Sequence, residues 1–416
     1  MSIVKKVPEI RFKRFGMEWE NLTLGDLGSV AMNKRIFKHQ TTITGDVPFF
    51  KIGTFGKQPD AFISKALFDE YKAKYPYPVE GDLLLSASGS IGRVVEYKGE
   101  DHYFQDSNIV WLKHDGKIDN SFLKVFYSTV KWSGLEGSTI QRLYNKNILD
   151  TEISTPERQE QIAIGNYFQK LDALINQHQQ KYDKLNSIKK AMLEKVFPKS
   201  GETIPEIRFK GFCGEWEKKP FGSCFVNVPN NTLSRAELNY ETGLAKNVHY
   251  GDVLIKFGEA LDATNELLPF ITNNDVANKL KHAALRDGDI IIADAAEDNM
   301  VGKCTEIFNI NEQLILSGLH TIAVRPTVPF ASKYLGYYLN SSSFHDQLLS
   351  LMQGTKVLSI SKTAIQNTNV GFPKNVEEQA AIGNYFQKLD NLINQHQQQI
   401  TKLNNIKQAC LSKMFV

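Results

Sequence analysis

The chain has 416 residues, of which 42% are hydrophobic, and it carries a formal net charge of +3 at pH 7. This length suffices for two or three hydrophobic cores of ordinary size, and so small a charge permits a nucleic-acid partner without indicating one. The four cysteines lack metal-ligand spacing, and no apolar run is as long as a membrane span or resembles a signal peptide. We therefore expect a globular, cytoplasmic protein that makes no contact with a membrane.

The first feature in chain order is a segment that occurs twice. The sequence PEIRFKRFGMEWE at residues 8–20 reappears as PEIRFKGFCGEWE at residues 205–217. The nine residues IGNYFQKLD occur at 164–172 and again, unchanged, at 382–390, and the similarity continues beyond them. This pattern predicts a tandem duplication in which each copy begins with PEIRF and ends with one long helix.

Between these shared edges the two copies diverge, and only two fragments still align. One is an apolar run after Gly-Asp that leads into a polar loop, at residues 81–94 and 288–303. The other contains a Gly-Ser or Gly-Thr pair and precedes the long helix, at residues 136–148 and 353–365. A shared frame with different interiors indicates one architecture that recognises two different targets.

Each copy ends with apolar residues spaced by alternating steps of four and three, which is the heptad spacing of a helix packed against another helix. Pro156 and Pro373 precede these segments, and acidic residues occupy the first turns, as is typical of helix N-termini. Each helix is predicted to run for roughly 40 residues, and its best partner is the matching stripe of the other copy. We expect an antiparallel pair around a pseudo-twofold axis that acts as a spacer.

The predicted seam contains two histidines at equivalent positions. A metal site or a pH switch is one interpretation of them, and a polar marker of the heptad register is the other, which the heptad context favours. Two helices that pack separately, each on its own domain, remain an alternative to pairing. The seam residues are Ile164, Phe168, Leu171, Ile175, His178, Leu185, Ile382, Phe386, Leu389, Ile393, His396 and Leu403.

These features resemble the specificity subunit of type I restriction-modification systems. The resemblance rests on PEIRFK-x-F-x-x-EW, on Gly-Asp followed by an apolar strand and a GSIG-type loop, and on the helix entry ending in IGNYFQKLD. The residues before that entry differ slightly between copies, TPERQEQ in the first and PKNVEEQ in the second. The resemblance covers essentially the whole chain in the order of the family.

The resemblance implies a mixed α/β (α+β) fold with two target-recognition domains, separated by two long helices that form an antiparallel coiled coil. The predicted segments are 1–155 for the first recognition domain, 156–199 for the central helix, 200–375 for the second recognition domain and 376–416 for the C-terminal helix.

The resemblance also implies a function in host defence. Each recognition domain would read one half of a bipartite, asymmetric sequence in double-stranded DNA, while the helices set the spacing and dock two adenine methyltransferase (modification) subunits. Restriction and translocase subunits would complete the complex. S-adenosylmethionine, ATP and Mg²⁺ would be bound by those partners, so this chain would bind no cofactor or metal and would not be an enzyme by itself.

Candidate DNA contacts are polar and basic side chains in the two aligned fragments, because Arg, Asn and Gln can bond bidentately to base edges. The run from Gln141 to Lys146 best fits this requirement, although a solvated loop or a helix cap is the alternative for every candidate. The candidates are Ser88, Ser90, Arg93, Gln141, Arg142, Tyr144, Asn145, Lys146, Asn299, Lys303, Lys356, Ser359 and Lys362.

Arg11-Phe12-Lys13 and its twin Arg208-Phe209-Lys210 occupy the same place in domains that should read different sequences. We therefore predict that they anchor the helical frame and do not read bases.

Two other functions stay open. A standalone Mg²⁺-dependent nuclease is suggested by Pro59-Asp60 followed by Glu70-Tyr71-Lys72, which fits the loose PD…ExK pattern. That chemistry requires ExK on a strand beside the aspartate, whereas the segment from Ser64 to Pro76 is predicted to be a short amphipathic helix. The other possibility is a non-catalytic scaffold without affinity for DNA.

Overall fold

The computed structural model describes residues 7–135 and 141–415. The chain divides into two compact units, of which the first comprises residues 1–178 and 398–416 and the second residues 179–397. Two helices of 38 residues each, Arg158–Lys195 and Val376–Lys413, confirm the predicted long helices. Because the division falls inside both helices, each unit contains part of each long helix.

The first unit is built from short strands and helices that precede the first long helix. Its strands are Glu20–Thr23, Ser29–Met32, Val47–Phe50, Phe62–Ile63, Leu83–Ser86, Val94–Glu96, Tyr103–Phe104, Ile109–Lys113 and Glu152–Thr155. Its short helices are Leu24–Leu27, Lys65–Lys74, Asn120–Thr129 and Asn145–Leu149, with a 3₁₀ turn at Lys38–Gln40.

The second unit has a similar but longer series of elements. Its strands are Glu217–Pro220, Phe225–Val228, Leu238–Asn239, Lys246–Val248, Ala260–Asp262, Phe270–Ile271, Ile290–Ala293, Ala295–Ala296, Cys304–Phe308, Ile315–Ser317, Thr321–Pro326, Leu358–Ser359 and Asn369–Phe372. Its short helices are Phe221–Cys224, Tyr250–Ile255, Asn274–Lys279, Tyr334–Asn340, Ser342–Leu349 and Lys362–Gln366, with 3₁₀ turns at Arg235–Glu237 and Lys281–Ala283.

The main sheets of the two units follow the same plan, and the run after Gly-Asp is an inner strand of each. All four residues of Leu83–Ser86 and of Ile290–Ala293 are buried, which explains why both runs are continuously apolar. In spatial order, the first sheet contains Ser29–Met32, Ile109–Lys113, Leu83–Ser86 and Val94–Glu96. The second contains Phe225–Val228, Thr321–Pro326, Ile290–Ala293, Cys304–Phe308 and an added Ala260–Asp262.

A mixed α/β architecture in two repeated units is therefore confirmed, and the repeated residues make equivalent contacts in both. Arg11 donates two hydrogen bonds to Glu160, at 2.7 and 2.6 Å. Arg208 donates two to Glu378, both at 2.7 Å. Since Glu160 and Glu378 lie in the first turns of the long helices, the prediction that these arginines anchor the frame is confirmed.

Within each unit, the start of one long helix packs against the end of the other. In the first unit, Lys407 donates to Asp172 at 2.6 Å and the ring centroids of Phe168 and Phe415 lie 6.3 Å apart. The partner residue numbers therefore rise along one helix as they fall along the other, so these segments run antiparallel.

The second unit contains the same contacts with the helices exchanged. Lys189 is ion-paired with Asp390 at 2.7 Å, and Phe197 stacks on Phe386 with centroids 5.9 Å apart. Asp172 and Asp390 occupy the same position in the repeat, as do Lys407 and Lys189. Each unit therefore contains its own copy of one antiparallel contact set.

The predicted seam residues are all buried or half-buried. Those nearest the helix starts belong to the domain cores, where Phe168 packs in the cluster of Trp19 and Phe386 in that of Trp216. The continuous register of the seam stays a prediction. The buried members are Ile164, Phe168, Leu171, Ile382, Phe386, Leu389 and Ile393, and the half-buried ones are Ile175, His178, Leu185, His396 and Leu403.

One equivalent pair of glutamates has opposite electrostatic surroundings in the two units. Glu306 lies opposite Ile290 in its sheet, as Glu96 lies opposite Leu83. Glu306 is 1% exposed, and burial raises its pKa to about 7, although backbone N–H groups donating to its carboxylate oppose that rise. Partial burial would also raise the pKa of Glu96, but ion pairs with two lysines outweigh burial and lower it.

Replacing Glu306 with glutamine is expected to remove part of the pH dependence of the stability of the second unit. Because the folded-state pKa is raised from 4.5 to about 7, folding favours the protonated acid, and this contribution is lost as pH rises through that window. At about 1.4 kcal/mol per pKa unit, the wild type should lose about 3 kcal/mol relative to Glu306→Gln between pH 4.5 and 7. Hydrogen exchange of peptides from the second unit would measure the difference.

The matched control is Glu96→Gln in the first unit. The lowered pKa of Glu96 predicts a stability difference between wild type and variant that changes with pH in the opposite direction. The wild-type carboxylate stabilises the unit above its unfolded pKa, and this contribution is lost as pH falls. A stability difference for Glu306→Gln that does not change with pH would show that Glu306 titrates normally.

Candidate nucleic-acid interface

The loop after the Gly-Asp strand and the polar run before the first long helix lie side by side in the first unit. The backbone N–H of Leu143 donates to the carbonyl oxygen of Ala87 at 2.8 Å. Ser88 and Arg142 face each other in an isolated antiparallel β-bridge. The run then enters a short helix, Asn145–Leu149. Residues 136–140, where the aligned fragment begins, lie outside the described residues.

The second unit brings its two fragments together in the same way. Strand Ala295–Ala296 pairs antiparallel with Leu358–Ser359. The N–H of Ile360 donates to the carbonyl oxygen of Asp294 at 2.9 Å. Helix Lys362–Gln366 follows, matching Asn145–Leu149 in the first unit. Two segments far apart in the sequence thus form one surface at corresponding places in both units. We call residues 87–93 with 141–146 the first loop site, and residues 294–303 with 356–362 the second loop site.

Most candidates of the first loop site present their side chains to solvent. Ser88 and Arg93 do not, because each is directed into the protein. Ser88 donates to Asn108 Oδ1 at 2.7 Å, and Arg93 donates through Nη1 to the carbonyl oxygen of Phe55 at 2.8 Å. Both side chains therefore support the loop. The exposed candidates are Ser90, Gln141, Arg142, Tyr144, Asn145 and Lys146.

The second loop site shows the same division between exposed and supporting candidates. Lys303 is half-buried and donates to the carbonyl oxygen of Leu254 at 2.8 Å. Burial lowers the pKa of this lysine, with nearby Glu259 acting in the opposite direction. The exposed candidates are Asn299, Lys356, Ser359 and Lys362.

The two loop sites differ in charge. Arg142 and Lys146 give the first site a basic edge, whereas the loop of the second site contains Asp294, Glu297 and Asp298. Arginine and asparagine match the major-groove edges of guanine and adenine, while carboxylates accept hydrogen bonds from the cytosine amino group. The same backbone arrangement therefore offers different hydrogen-bonding groups in the two units.

The structure adds residues to the second loop site that the sequence did not indicate. Lys362 donates to Asn230 Oδ1 at 3.2 Å, and His320 pairs with Asp294 at 3.2 Å. Asn230 and His320 come from segments distant in sequence, so no local pattern could have identified them. In the first unit, Asn108 accepts the hydrogen bond from Ser88, and no sequence pattern indicated this residue either.

The PD…ExK residues of the first unit lack the arrangement that the nuclease chemistry requires. The segment that contains Glu70 is helical, as predicted, and Glu70 is ion-paired with Lys74 at 3.0 Å. Asp60 is ion-paired with Lys51 at 2.9 Å. The pattern therefore lacks the strand that this nuclease chemistry requires, and its two carboxylates have separate lysine partners.

Within residues 7–135 and 141–415, no group of three or more His, Cys, Asp or Glu side chains could hold a metal ion. None of the helices in the described part of the chain has the length and apolarity needed to cross a membrane.

A family model described as the type I restriction modification DNA specificity domain matches the chain twice, at residues 17–187 and 246–405. A type I restriction enzyme specificity subunit from Haemophilus influenzae is 54% identical over 156 residues, which are 37% of this chain and 40% of that protein. The matched part is thus less than half the length of that relative.

Two further similarities extend over more of the chain. The type I restriction enzyme MjaVIII specificity subunit from Methanocaldococcus jannaschii is 24% identical over 319 residues, which are 75% of this chain and 70% of that protein. A crystal structure of the type I restriction-modification S subunit from M. genitalium covers 99% of both chains, with a TM-score of 0.57 at 16% identity. This structural likeness shows a shared fold.

Proposed function

The chain belongs to the type I restriction modification DNA specificity family, and we propose from that premise that it is the subunit that selects the DNA sequence on which such a complex acts. One observation carries this proposal. Two units with the same frame contacts each place a polar loop beside a polar run, and the side chains there differ between the units. A protein that reads two unlike DNA sequences requires this combination of constant frame and variable surface.

We propose that each loop site reads one half of a bipartite, asymmetric sequence in double-stranded DNA. The exposed Gln141, Arg142 and Asn145 of the first site have side chains of the types that make bidentate contacts with purine edges. The exposed lysines of both sites suit phosphate contacts, which position a protein on the duplex without reading sequence.

The two long helices are proposed to pair as an antiparallel coiled coil that sets the spacing between the half-sites and docks two adenine methyltransferase subunits. The matched pairs Asp172 with Lys407 and Asp390 with Lys189 support this pairing, because they give each unit the same antiparallel contact. Methylation, ATP-driven translocation and cleavage would then belong to partner subunits that bind S-adenosylmethionine, ATP and Mg²⁺. The chain itself would act in the cytoplasm as a recognition subunit without catalysis.

Deleting the gene for this chain is expected to remove adenine methylation from one gapped, two-part motif throughout the host genome. Sequence selection resides in this chain under the proposal, so the partner methyltransferase alone cannot direct methylation to that motif. Single-molecule sequencing of genomic DNA from the host and the deletion strain would measure the change. A strain with an inactivated partner methyltransferase serves as the control and should lose the same motif.

If the host does not express the methyltransferase, the deletion experiment is replaced by co-expression. This chain and the methyltransferase subunit are then produced together in a strain that lacks other adenine methylation. A new gapped motif that requires both subunits supports the proposal. Methylation that is unaffected by this chain in both settings would contradict it.

A further inference from the structure

The first unit contains a cavity of about 400 Å³ between its main sheet, helix Asn120–Thr129 and segments of the two long helices. Most of its lining surface is apolar, although polar and charged side chains also border it, and one edge contains the ion pair between Asp172 and Lys407. The cavity lies on the helical side of the unit, and Ser88 and Arg142 of the first loop site are not among its lining residues. The lining residues used below are Leu83, Val94, Val125, Phe168, Asp172 and Lys407.

Corresponding hydrogen bonds align this region with the second unit. The N–H of Asp119 donates to Gln161 Oε1 at 2.9 Å, and the N–H of Ala331 donates to Gln379 Oε1 at 3.0 Å. Gln161 and Gln379 occupy the same position in the repeat. Asp119 therefore corresponds to Ala331.

The same alignment, continued for six residues along the chain, matches Val125 with Tyr337. Both side chains stand where the short helix faces the start of a long helix, but one is an aliphatic group and the other a phenol.

Tyr337 fills the corresponding space in the second unit and is 1% exposed. Its ring centroid lies 5.1 Å from that of Phe386, and its hydroxyl donates to Asp390 Oδ2 at 2.6 Å. The ammonium group of Lys189 lies 5.7 Å from the ring centroid, within the range of a cation–π contact. An aromatic wall, a carboxylate acceptor and a cation thus surround one phenol.

The first unit retains all three of these partners and has Val125 in the place of Tyr337. Phe168, Asp172 and Lys407 are the repeat equivalents of Phe386, Asp390 and Lys189, and all three line the cavity. Val125 is too short to reach the carboxylate, and the Asp172 side chain is correspondingly 54% exposed, against 24% for Asp390. At position 125 the first unit therefore has the surroundings of a buried tyrosine but a valine side chain. Tyr127 also lines the cavity, and its ring centroid lies 5.8 Å from that of Trp132.

We propose that this cavity is a binding site for a hydroxyl-bearing aromatic ring. The ring packs against Phe168 and Val94, its hydroxyl donates to Asp172, and Lys407 lies beside its face. Tyr337 makes the corresponding contacts with Phe386, Asp390 and Lys189 in the second unit. The phenol comes either from a small molecule or from a tyrosine side chain of a partner subunit, and the chemistry of the site is the same for both.

The probe for this site is p-cresol, whose ring and hydroxyl reproduce a tyrosine side chain. Ligand-observed NMR on the full chain should detect one p-cresol site in the wild type. Toluene, which lacks the hydroxyl, should bind roughly tenfold more weakly, because a hydrogen bond to a charged acceptor is lost. Asp172→Asn should reduce this preference for p-cresol over toluene.

Reciprocal substitutions in the two units provide matched controls. Val125→Tyr should abolish binding, because the introduced ring occupies the cavity. Tyr337→Val should add a second p-cresol site, because Phe386, Asp390 and Lys189 would then surround an open space. Val125→Ala enlarges the cavity and should keep the wild-type site, so a loss of binding in Val125→Tyr cannot be attributed to substitution at this position alone.

Two results would overturn the proposal: no p-cresol binding to the wild-type chain at millimolar concentration, or equal binding to wild type and Val125→Tyr. Addition of the methyltransferase subunit then identifies the source of the phenol. Displacement of p-cresol on assembly assigns the site to a partner tyrosine, and retention of p-cresol assigns it to a small molecule.

Discussion

Replacement of Arg11 with alanine is expected to destabilise the first unit by about 3–5 kcal/mol. Arg11 forms a bidentate ion pair with Glu160, whose side chain is 0% exposed. The substitution leaves the carboxylate buried without its cation, so the full cost of desolvating the charge falls on the folded state. The pair also ties the N-terminal segment to the first long helix, and that attachment would be lost as well.

Urea unfolding followed by tryptophan fluorescence would measure this loss. Three of the four tryptophans lie in the first unit and only Trp216 lies in the second, so a common Trp216→Phe background makes the signal specific to the first unit. The adjacent, exposed Lys13 provides the control, since Lys13→Ala should change stability by less than about 0.5 kcal/mol. A loss below about 1 kcal/mol for Arg11→Ala would mean that Glu160 is hydrated in the folded protein.

The residues that remained identical in both copies are those that make the frame contacts, and for this reason the frame was predictable. Arg11 lies in a repeated segment, and the repeat predicted that it anchors the helical frame. Its partner Glu160, 149 positions away, was found only in the structure. The alternating steps of four and three between apolar residues likewise predicted both long helices, because heptad spacing is a local property of the sequence.

The interiors could not be predicted to the same extent because their strand pairs are distant in sequence and differ between the copies. Val47–Phe50 pairs with Tyr103–Phe104, and the second main sheet has a fifth strand, Ala260–Asp262. No local pattern specifies such partners. The family resemblance implied the mixed α/β class, whereas the sheet order required the structure.

Candidate site residues were chosen by chemical type, and type alone does not show where a side chain points. Arg93 and Lys303 have the charge of phosphate ligands, but both donate to backbone carbonyl groups inside their units. Arg142 has the same chemistry and is exposed. Arg93 and Lys303 point inward because they bond to the carbonyl groups of Phe55 and Leu254. These acceptors are distant in sequence, so a local pattern could not predict them.

Arg142→Ala is expected to weaken binding to the cognate duplex by roughly 5–150-fold, the loss of about 1–3 kcal/mol associated with one bidentate base contact. The Arg142 backbone is held by the bridge to Ser88 and by the adjacent hydrogen bond from Leu143, so removing the side chain should leave the loop site folded. Competition binding at one fixed salt concentration would measure the loss, because phosphate contacts make every affinity depend on salt. The target duplex is the motif found by methylation sequencing.

The loss should be confined to one half of the motif. With Arg142→Ala, a base change in the half-site read by the first unit should no longer reduce affinity at the contacted position, while changes in the other half should keep their full effect. Ser359→Ala, at the matching position of the second unit, should leave discrimination in the first half unchanged. Arg142→Lys separates the two roles of the side chain, because lysine keeps the charge and loses the planar pair of donors. If lysine restores wild-type discrimination, or if alanine weakens both halves equally, Arg142 contacts phosphate and another side chain of the first loop site reads the base.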